Sequence, residues 1–306
     1  MSSASPDLSP LLALSNNLAD IVEKVGHSVV TVNGTRLSSS GIHWRQGIIV
    51  TAEETLKRTE DLTVTLPDNR TVAATLVGRD RTTDIAVLKL ENIELPIVEI
   101  GDASALKVGH LVQAIGRSRD SLNASMGVVS AMGGPWRSSY GGLIDQFLRL
   151  DLNLYPSIEG GALVDATGQV VGMTVSGPKR TVISIPASTI NRVVDQLLLK
   201  GHIARGYLGL GMQPVRLPET LKNTLNLTSV AGVIAINVES EGPADKSGLL
   251  IGDVIIAIDG TAVSDTSDIQ AMLGSNSVGK TLNVQIVRGG ALVEVALTVG
   301  ERTPKE

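Results

Sequence analysis

The chain has 306 residues, a formal net charge of −5, 42% hydrophobic residues and no cysteine. No lysine or arginine cluster is long enough to follow a phosphate backbone, which argues against nucleic acid as a partner. The lack of cysteine removes disulfides, thiol catalysis and zinc–thiolate sites.

The length favours two domains over one. The aromatic residues are only Trp44, Trp136, Tyr140, Phe147, Tyr155 and Tyr207, so any packed core must be mostly aliphatic. No apolar run reaches the ~18 residues needed to span a bilayer. The first thirty residues lack a basic stretch followed by a continuous apolar core, so they make a poor export signal. The chain therefore reads as cytoplasmic as it stands, or as periplasmic or otherwise extracytoplasmic if an export signal has been removed. Within residues 1–27, Leu11, Leu12, Leu14, Leu18, Ile21, Val22 and Val25 fall near helical spacing. They predict an amphipathic lead-in helix.

Residues 28–201 read as one β-rich domain. Short runs such as "SVVTVNG", "GIIVTA", "DIAVLKL", "HLVQAIG", "MGVVSAMG", "FLRLDLNL" and "TVISIP" are separated by turn residues. Leu62 to Asp80 alternates around Pro67-Asp68-Asn69 and predicts a hairpin. Many short strands with glycine-bearing turns argue for antiparallel barrels or sandwiches. After Pro186 the period changes. Ile190, Val193, Val194, Leu197 and Leu198 share one helical face, with Ser188 or Thr189 as the expected N-cap and Gly201 as the C-cap.

Residues 205–301 form a second β-rich unit with one or two short helices, and residues 302–306 a solvated tail. Its motifs occur in a specific order. "YLGLGM" (207–212) resembles the carboxylate-binding loop and following strand of PDZ domains. "EGPADKSGLLIGDVIIAIDG" (241–260) resembles their small helix, glycine turns and strand, and "TSDIQAMLG" (266–274) the helix beside the groove. The resemblance implies strand addition by a partner's C-terminus. Backbone N–H groups around Leu208, Gly209 and Leu210 would receive the terminal carboxylate. Leu208, Leu210, Ile269 and Leu273 would line the apolar pocket, with Tyr207 and Met212 beside it. The plainer expectation for these leucines is core packing, and the full motif order favours binding.

A β-barrel domain, a closing helix and a PDZ domain together resemble the HtrA (high-temperature-requirement) family of trypsin-like serine proteases. The matching segments are "GIIVTAEETL", "GRDRTTDIAVLKL", "VEIGDASALKVGHLVQAIG", "SMGVVSAMG" and "YPSIEGGALVDATGQVVGM", and they cover about residues 17 to 301. The fold implied is a trypsin-like double β-barrel followed by a PDZ domain. Carried onto this chain, the catalytic histidine position is Glu54, the aspartate position Asp84 and the nucleophile position Glu159. Ser157 stands for the oxyanion-hole glycine and Ile158 for the family's asparagine.

Acyl transfer needs a nucleophile, a base to take its proton and aimed N–H donors. A carboxylate in place of imidazole shuttles no proton near neutral pH unless its pKa is strongly raised. A carboxylate in place of serine is a poor nucleophile toward an amide. Among His27, His43, His110 and His202, only His43 lies near the cleft by its place in the sequence, and it is expected on the barrel surface. No metal-ligand spacing is present, and no cofactor is expected.

If the fold is kept, Glu54, Asp84 and Glu159 converge, and at least one must take a proton, pair with a basic residue or share a cation. Solvation or pairing with basic neighbours is the leading expectation. A carboxylate-lined cation-binding cleft is a minor alternative. Glycoside hydrolysis has few aromatics to support it. The reading is a pseudoprotease that binds polypeptide C-termini or unfolded segments, as a scaffold, chaperone-like holder or regulator of an active HtrA-like relative. The alternative is an active serine-type endopeptidase. A homo-oligomer through Leu11–Leu18 stays open, although aromatic residues are absent from that segment.

Overall fold

The computed structural model describes residues 9–34, 39–57, 60–119, 121–227, 229–274 and 277–301. The chain folds as two compact units, Met1–His202 and Ile203–Glu306. The expected tail, 302–306, lies outside the described residues. Among the described residues, no helix is long and apolar enough to cross a membrane.

The first unit opens with α1 (Ser9–Gly26). Only the C-terminal part of its apolar face packs: Val25 is buried, whereas Leu11, Leu12 and Leu14 are exposed. Buried Arg117 holds the helix end, donating to the carbonyls of Gly26 (2.8 Å) and Val29 (2.9 Å). A cation at this end meets carbonyls that the helix leaves unpaired.

Seven antiparallel strands follow: β1 (Val29–Asn33), β2 (Ser39–Arg45), β3 (Ile48–Thr51), β4 (Thr63–Thr65), β5 (Thr71–Ala73), β6 (Thr75–Asp80) and β7 (Ile85–Lys89). Their sheet order is β5-β4-β1-β2-β3-β7-β6. The hairpin at Pro67-Asp68-Asn69 joins β4 and β5; Leu66 N–H donates to Arg70 O (2.9 Å) and Asn69 takes φ 67°. The core of this half is aliphatic, including Val30, Val32, Ile49, Leu66 and Leu88. Each fully buried side chain of this kind contributes roughly 1.5–3 kcal/mol relative to exposure.

The other half contains β8 (Leu111–Ser118), β9 (Ser121–Gly133), a small pair β10 (Trp136–Arg137) and β11 (Leu143–Ile144), then β12 (Phe147–Asp151), β13 (Ala162–Asp165), β14 (Val170–Ser176) and β15 (Val182–Pro186). A closed barrel forms in the order β12-β15-β14-β13-β8-β9. Helix α2 (Ala187–Lys200) buries Ile190, Val193, Val194 and Leu197, while Leu198 stays exposed. Neither Ser188 nor Thr189 caps it. β15 runs straight into the helix, Pro186 is the N-cap, and Thr189 is buried with its hydroxyl accepting from Asp145 N–H (2.9 Å). Gly201 ends the helix in the left-handed conformation, φ 73°.

His43 is not a surface residue. It is wholly buried on β2, with Nδ1 2.9 Å from Pro96 O and Nε2 accepting from Gly47 N–H (3.1 Å). Burial holds its pKa below the usual value. The expectation failed because β2 is covered on both faces, so no alternation marks an outer side.

The second unit has β16 (Gly206–Tyr207), β17 (Leu210–Arg216), β18 (Ala231–Val238), β19 (Val254–Ile258), β20 (Thr261–Ala262), β21 (Thr281–Arg288), β22 (Ala291–Thr298) and β23 (Gly300–Glu301). The main sheet runs β17-β18-β19-β21-β22, with β17 at one edge. Among the described residues three short helices are present rather than one or two: α3 (Glu219–Leu225), α4 (Pro243–Lys246) and α5 (Thr266–Met272). Asp265 and Asp268 form a capping box at the start of α5, a reciprocal pair of bonds that fixes where that helix begins. Buried Asp253 is held by Arg288 (2.7 and 2.8 Å) and by Leu250 N–H (2.7 Å). Burial alone would raise its pKa, but these bonds outweigh it and hold the carboxyl below the usual range.

Candidate functional site

The segment carrying Glu54 leaves β3 at Thr51 and turns through a single 3-10 turn, Glu53–Thr55. Asp84 holds this turn in place. Its carboxylate accepts from Glu54 N–H (2.8 Å) and its carbonyl from Glu53 N–H (3.3 Å). Asp84 itself sits in the left-handed region, φ 56°, which aspartate tolerates better than most side chains. The preceding turn is built by Asp80, which accepts from Thr82 N–H (3.1 Å) and the Thr83 hydroxyl (2.7 Å). "DRTTD" is thus a local device for presenting Asp84.

Glu159 lies on a turn between β12 and β13. Its carbonyl accepts from Ser40 N–H (2.9 Å) and its carboxylate from Ser176 N–H (3.1 Å). Ile158 N–H donates to Tyr155 O (2.8 Å), and the Ile158 side chain is fully buried. Ser40, absent from the sequence-based set, locks the loop: its hydroxyl donates to Ser157 O (2.6 Å) and accepts from Arg117 N–H (2.7 Å). The N–H groups of Ser157 and Glu159 donate to no backbone carbonyl among the described residues. Both glycines that follow are required by close approach. A Cβ on Gly160 would lie 2.5 Å from Ser40 O, and one on Gly161 would lie 2.2 Å from Ile115 O.

The three acids do meet. Glu159 acts on Glu54 through a side-chain hydrogen bond and charge, Asp84 acts on Glu54 through charge, and Glu159 acts on Asp84 through charge. Burial, then the bond to Glu159, then the charges of Asp84, Glu159 and Glu53 push Glu54 up to about 8. Burial also pushes Asp84 up to about 7; the Glu54 N–H bond opposes the rise, and the charges of Glu159 and Glu53 add to it. A neutral Glu54 donating to Glu159 relieves the repulsion. Of the neighbouring basic residues, Arg79 pairs with Glu53 (3.4 Å). Among the described residues no group of three or more His, Cys, Asp or Glu is placed to hold a metal ion.

These raised pKa values fix the sign of a pH effect. The folded state holds more protons than the unfolded chain between about pH 4 and pH 8, so stability falls as pH rises through this window. The Glu54→Gln variant should flatten that slope and melt at a higher temperature than wild type at pH 8, about 2–4 °C for each kcal/mol recovered. Thermal melts at pH 5 and pH 8 check it.

In the second unit, Leu208 and Ile269 are buried in the domain core with Val233, Ile255 and Leu297. Leu210, Met212 and Leu273 pack against that core while remaining partly exposed. Tyr207 pairs through β16 with β23. Gly209 takes φ 73°, a conformation that a residue with a side chain adopts only at a cost. Leu208 O accepts from Ala244 N–H and Gly209 O from Glu239 N–H, both 2.8 Å. The N–H groups of Leu208 and Gly209 donate to no backbone carbonyl among the described residues.

The fold and sites define a trypsin-like domain joined to a PDZ domain. The trypsin-like peptidase domain model matches residues 39–173 and the PDZ domain model residues 206–299. The chain thus carries a trypsin-like peptidase domain and a PDZ domain, and it is similar to HtrA-type proteases. The probable periplasmic serine endoprotease DegP-like of Halomonas elongata is 33% identical over 273 residues, covering 87% of this chain and 56% of that protein. The corresponding protein of Pseudomonas fulva is 34% identical over 271 residues, covering 86% and 56%. The chain thus spans little more than half the length of these relatives. Among solved structures, the HtrA-type protease AlgW with decapeptide superposes with a TM-score of 0.75 at 25% identity, covering 94% of this chain and 99% of that one. The serine endoprotease from Yersinia pestis gives 0.74 at 25% identity, covering 93% and 98%.

Proposed function

We propose that the chain is a pseudoprotease: it retains the scaffold of an HtrA protein, lacks its peptide-cleaving chemistry and binds polypeptide C-termini through its PDZ domain. The observation that carries this reading is the acid pair. Both positions that should exchange a proton with substrate hold glutamates: Glu54, pushed up to about 8, could hold a proton near neutral pH, but Glu159 offers no hydroxyl for it to deprotonate. A carboxylate at the nucleophile position also puts negative charge where an oxyanion would develop, which opposes the transition state. His43 is buried and bonded elsewhere, so it supplies no replacement base. The open edge of β17 and the N–H groups of Leu208 and Gly209 support binding of an extended chain end. The structure of the HtrA-type protease AlgW was solved with a decapeptide, which is consistent with this role. Such binding suits a scaffold, a chaperone-like holder or a regulator of an active relative.

The names of the relatives favour a second reading, an active serine-type endopeptidase. For this the nearest hydroxyl in the loop is Ser157, whose carbonyl is tied to Ser40. A restoring variant separates scaffold from chemistry. Glu54→His with Glu159→Ser should leave casein cleavage near background, because Ser157 and buried Ile158 still occupy the glycine and asparagine positions of the loop. Cleavage raised by 100-fold or more over wild type in that double variant would show a loop competent for catalysis.

A further inference from the structure

Residue Pro214 lies on the exposed edge strand of the second unit. Proline has no N–H, and in sheets it is confined to edges and irregular positions. What Pro214 does depends on which way its missing donor would point. The ladder settles this. Ala235 N–H donates to Asp253 O, and Ala235 O accepts from Gly252 N–H, both 2.8 Å. Ala235 therefore faces the β19 side, and its neighbour Ile234 faces β17. Ile234 opposes Gln213, and Val233 opposes Pro214. Gln213 is then the inward, bonded residue, while Met212 and Pro214 face outward. Gly209 O, bonded to Glu239 N–H, and Leu217 N–H, bonded to Val230 O, give the same alternation from both ends. The bulge between Gly211 and Met212 places its extra residue, Ile236, on β18, so the alternation along β17 is unbroken.

The outward face of β17 thus offers both N–H and C=O at Leu210 and Met212, and only a C=O at Pro214. An incoming chain end whose carboxylate lies at Leu208 and Gly209 must run antiparallel to β17. Its last residue then opposes Leu210, its third from last Met212, and its fifth from last Pro214. In such a ladder each outward residue exchanges two bonds with one residue of the added strand. At Pro214 one of the two is missing.

We propose that Pro214 limits the recognised segment to about the last four residues of a partner. This rests on the C-terminus-binding reading above and assigns its length specificity to one residue. A proline here also shields an edge from unwanted pairing, and that role alone predicts no dependence on peptide length.

The experiment uses the full chain and two free-carboxylate peptides from the best sequence in a random C-terminal peptide library: a tetrapeptide and an octapeptide ending in the same four residues. Wild type should bind the two within about 2-fold of each other. Pro214→Ala should bind the octapeptide about 2- to 10-fold more tightly than wild type, the effect of one regained net hydrogen bond, with no change for the tetrapeptide. An octapeptide advantage of more than 10-fold in wild type, or a Pro214→Ala variant that leaves both affinities unchanged, overturns the inference while leaving C-terminal binding intact. Failure of every library peptide to bind wild type overturns the C-terminus-binding reading and this inference with it.

Discussion

A peptide with a C-terminal amide should bind the full chain about 10- to 100-fold more weakly than the same peptide with a free carboxylate. The loop that receives the chain end gives two N–H groups, from Leu208 and Gly209, that find no backbone acceptor among the described residues. A carboxylate accepts them as charge-assisted bonds, which are stronger than bonds to a neutral amide. An amide presents one oxygen in place of two and turns an N–H₂ group toward donors. Gly209 makes the loop possible through its φ of 73°. Binding measured by fluorescence polarisation or calorimetry reads the difference directly. Equal affinities would mean that an internal segment, rather than a terminus, is recognised.

Gly161→Ala should destabilise the first unit by about 3 kcal/mol, at the upper end for inserting one methyl group into a packed interior. That lowers its melting temperature by about 6–12 °C for a unit of this size. The added Cβ would fall 2.2 Å from Ile115 O and 2.7 Å from Ile158 O. These are backbone atoms of β8 and of the Glu159 turn, and no side-chain rotation relieves the overlap. Gly134→Ala is the control, since a Cβ there meets nothing within 4 Å. Calorimetry of the two variants should separate them clearly. Equal melting temperatures would show that the Glu159 turn is not clamped against β8.

The same contact explains why the frame of the loop was readable in the sequence. Gly160 and Gly161 are fixed by backbone crowding rather than by catalysis, so they remain when the nucleophile position holds Glu159. Asp84 remains for a similar reason, since it anchors the turn that carries Glu54. The PDZ motifs are legible because each glycine and turn sits at a fixed offset from a strand. Other features depend on distant partners. Arg79 being taken by Glu53, and Glu54 pairing with Glu159, are contacts between far-apart segments that no local period encodes. His43 lies on a strand buried on both faces, so its environment left no pattern. Leu208 and Ile269 had two expected roles, pocket and core, and only packing separates them. Pro214 was visible as a residue, but its meaning needed the direction of the β17–β18 ladder.

The most direct test is whether the purified chain cleaves protein and reacts as a serine hydrolase. Full chain is incubated with unfolded casein between pH 5 and pH 9, and in parallel with a fluorophosphonate probe. The expected result is no cleavage above a heat-treated control at any pH and no labelling. Casein cleavage that purifies with the chain, together with probe labelling lost in Ser157→Ala, would contradict the pseudoprotease reading and establish an active serine endopeptidase.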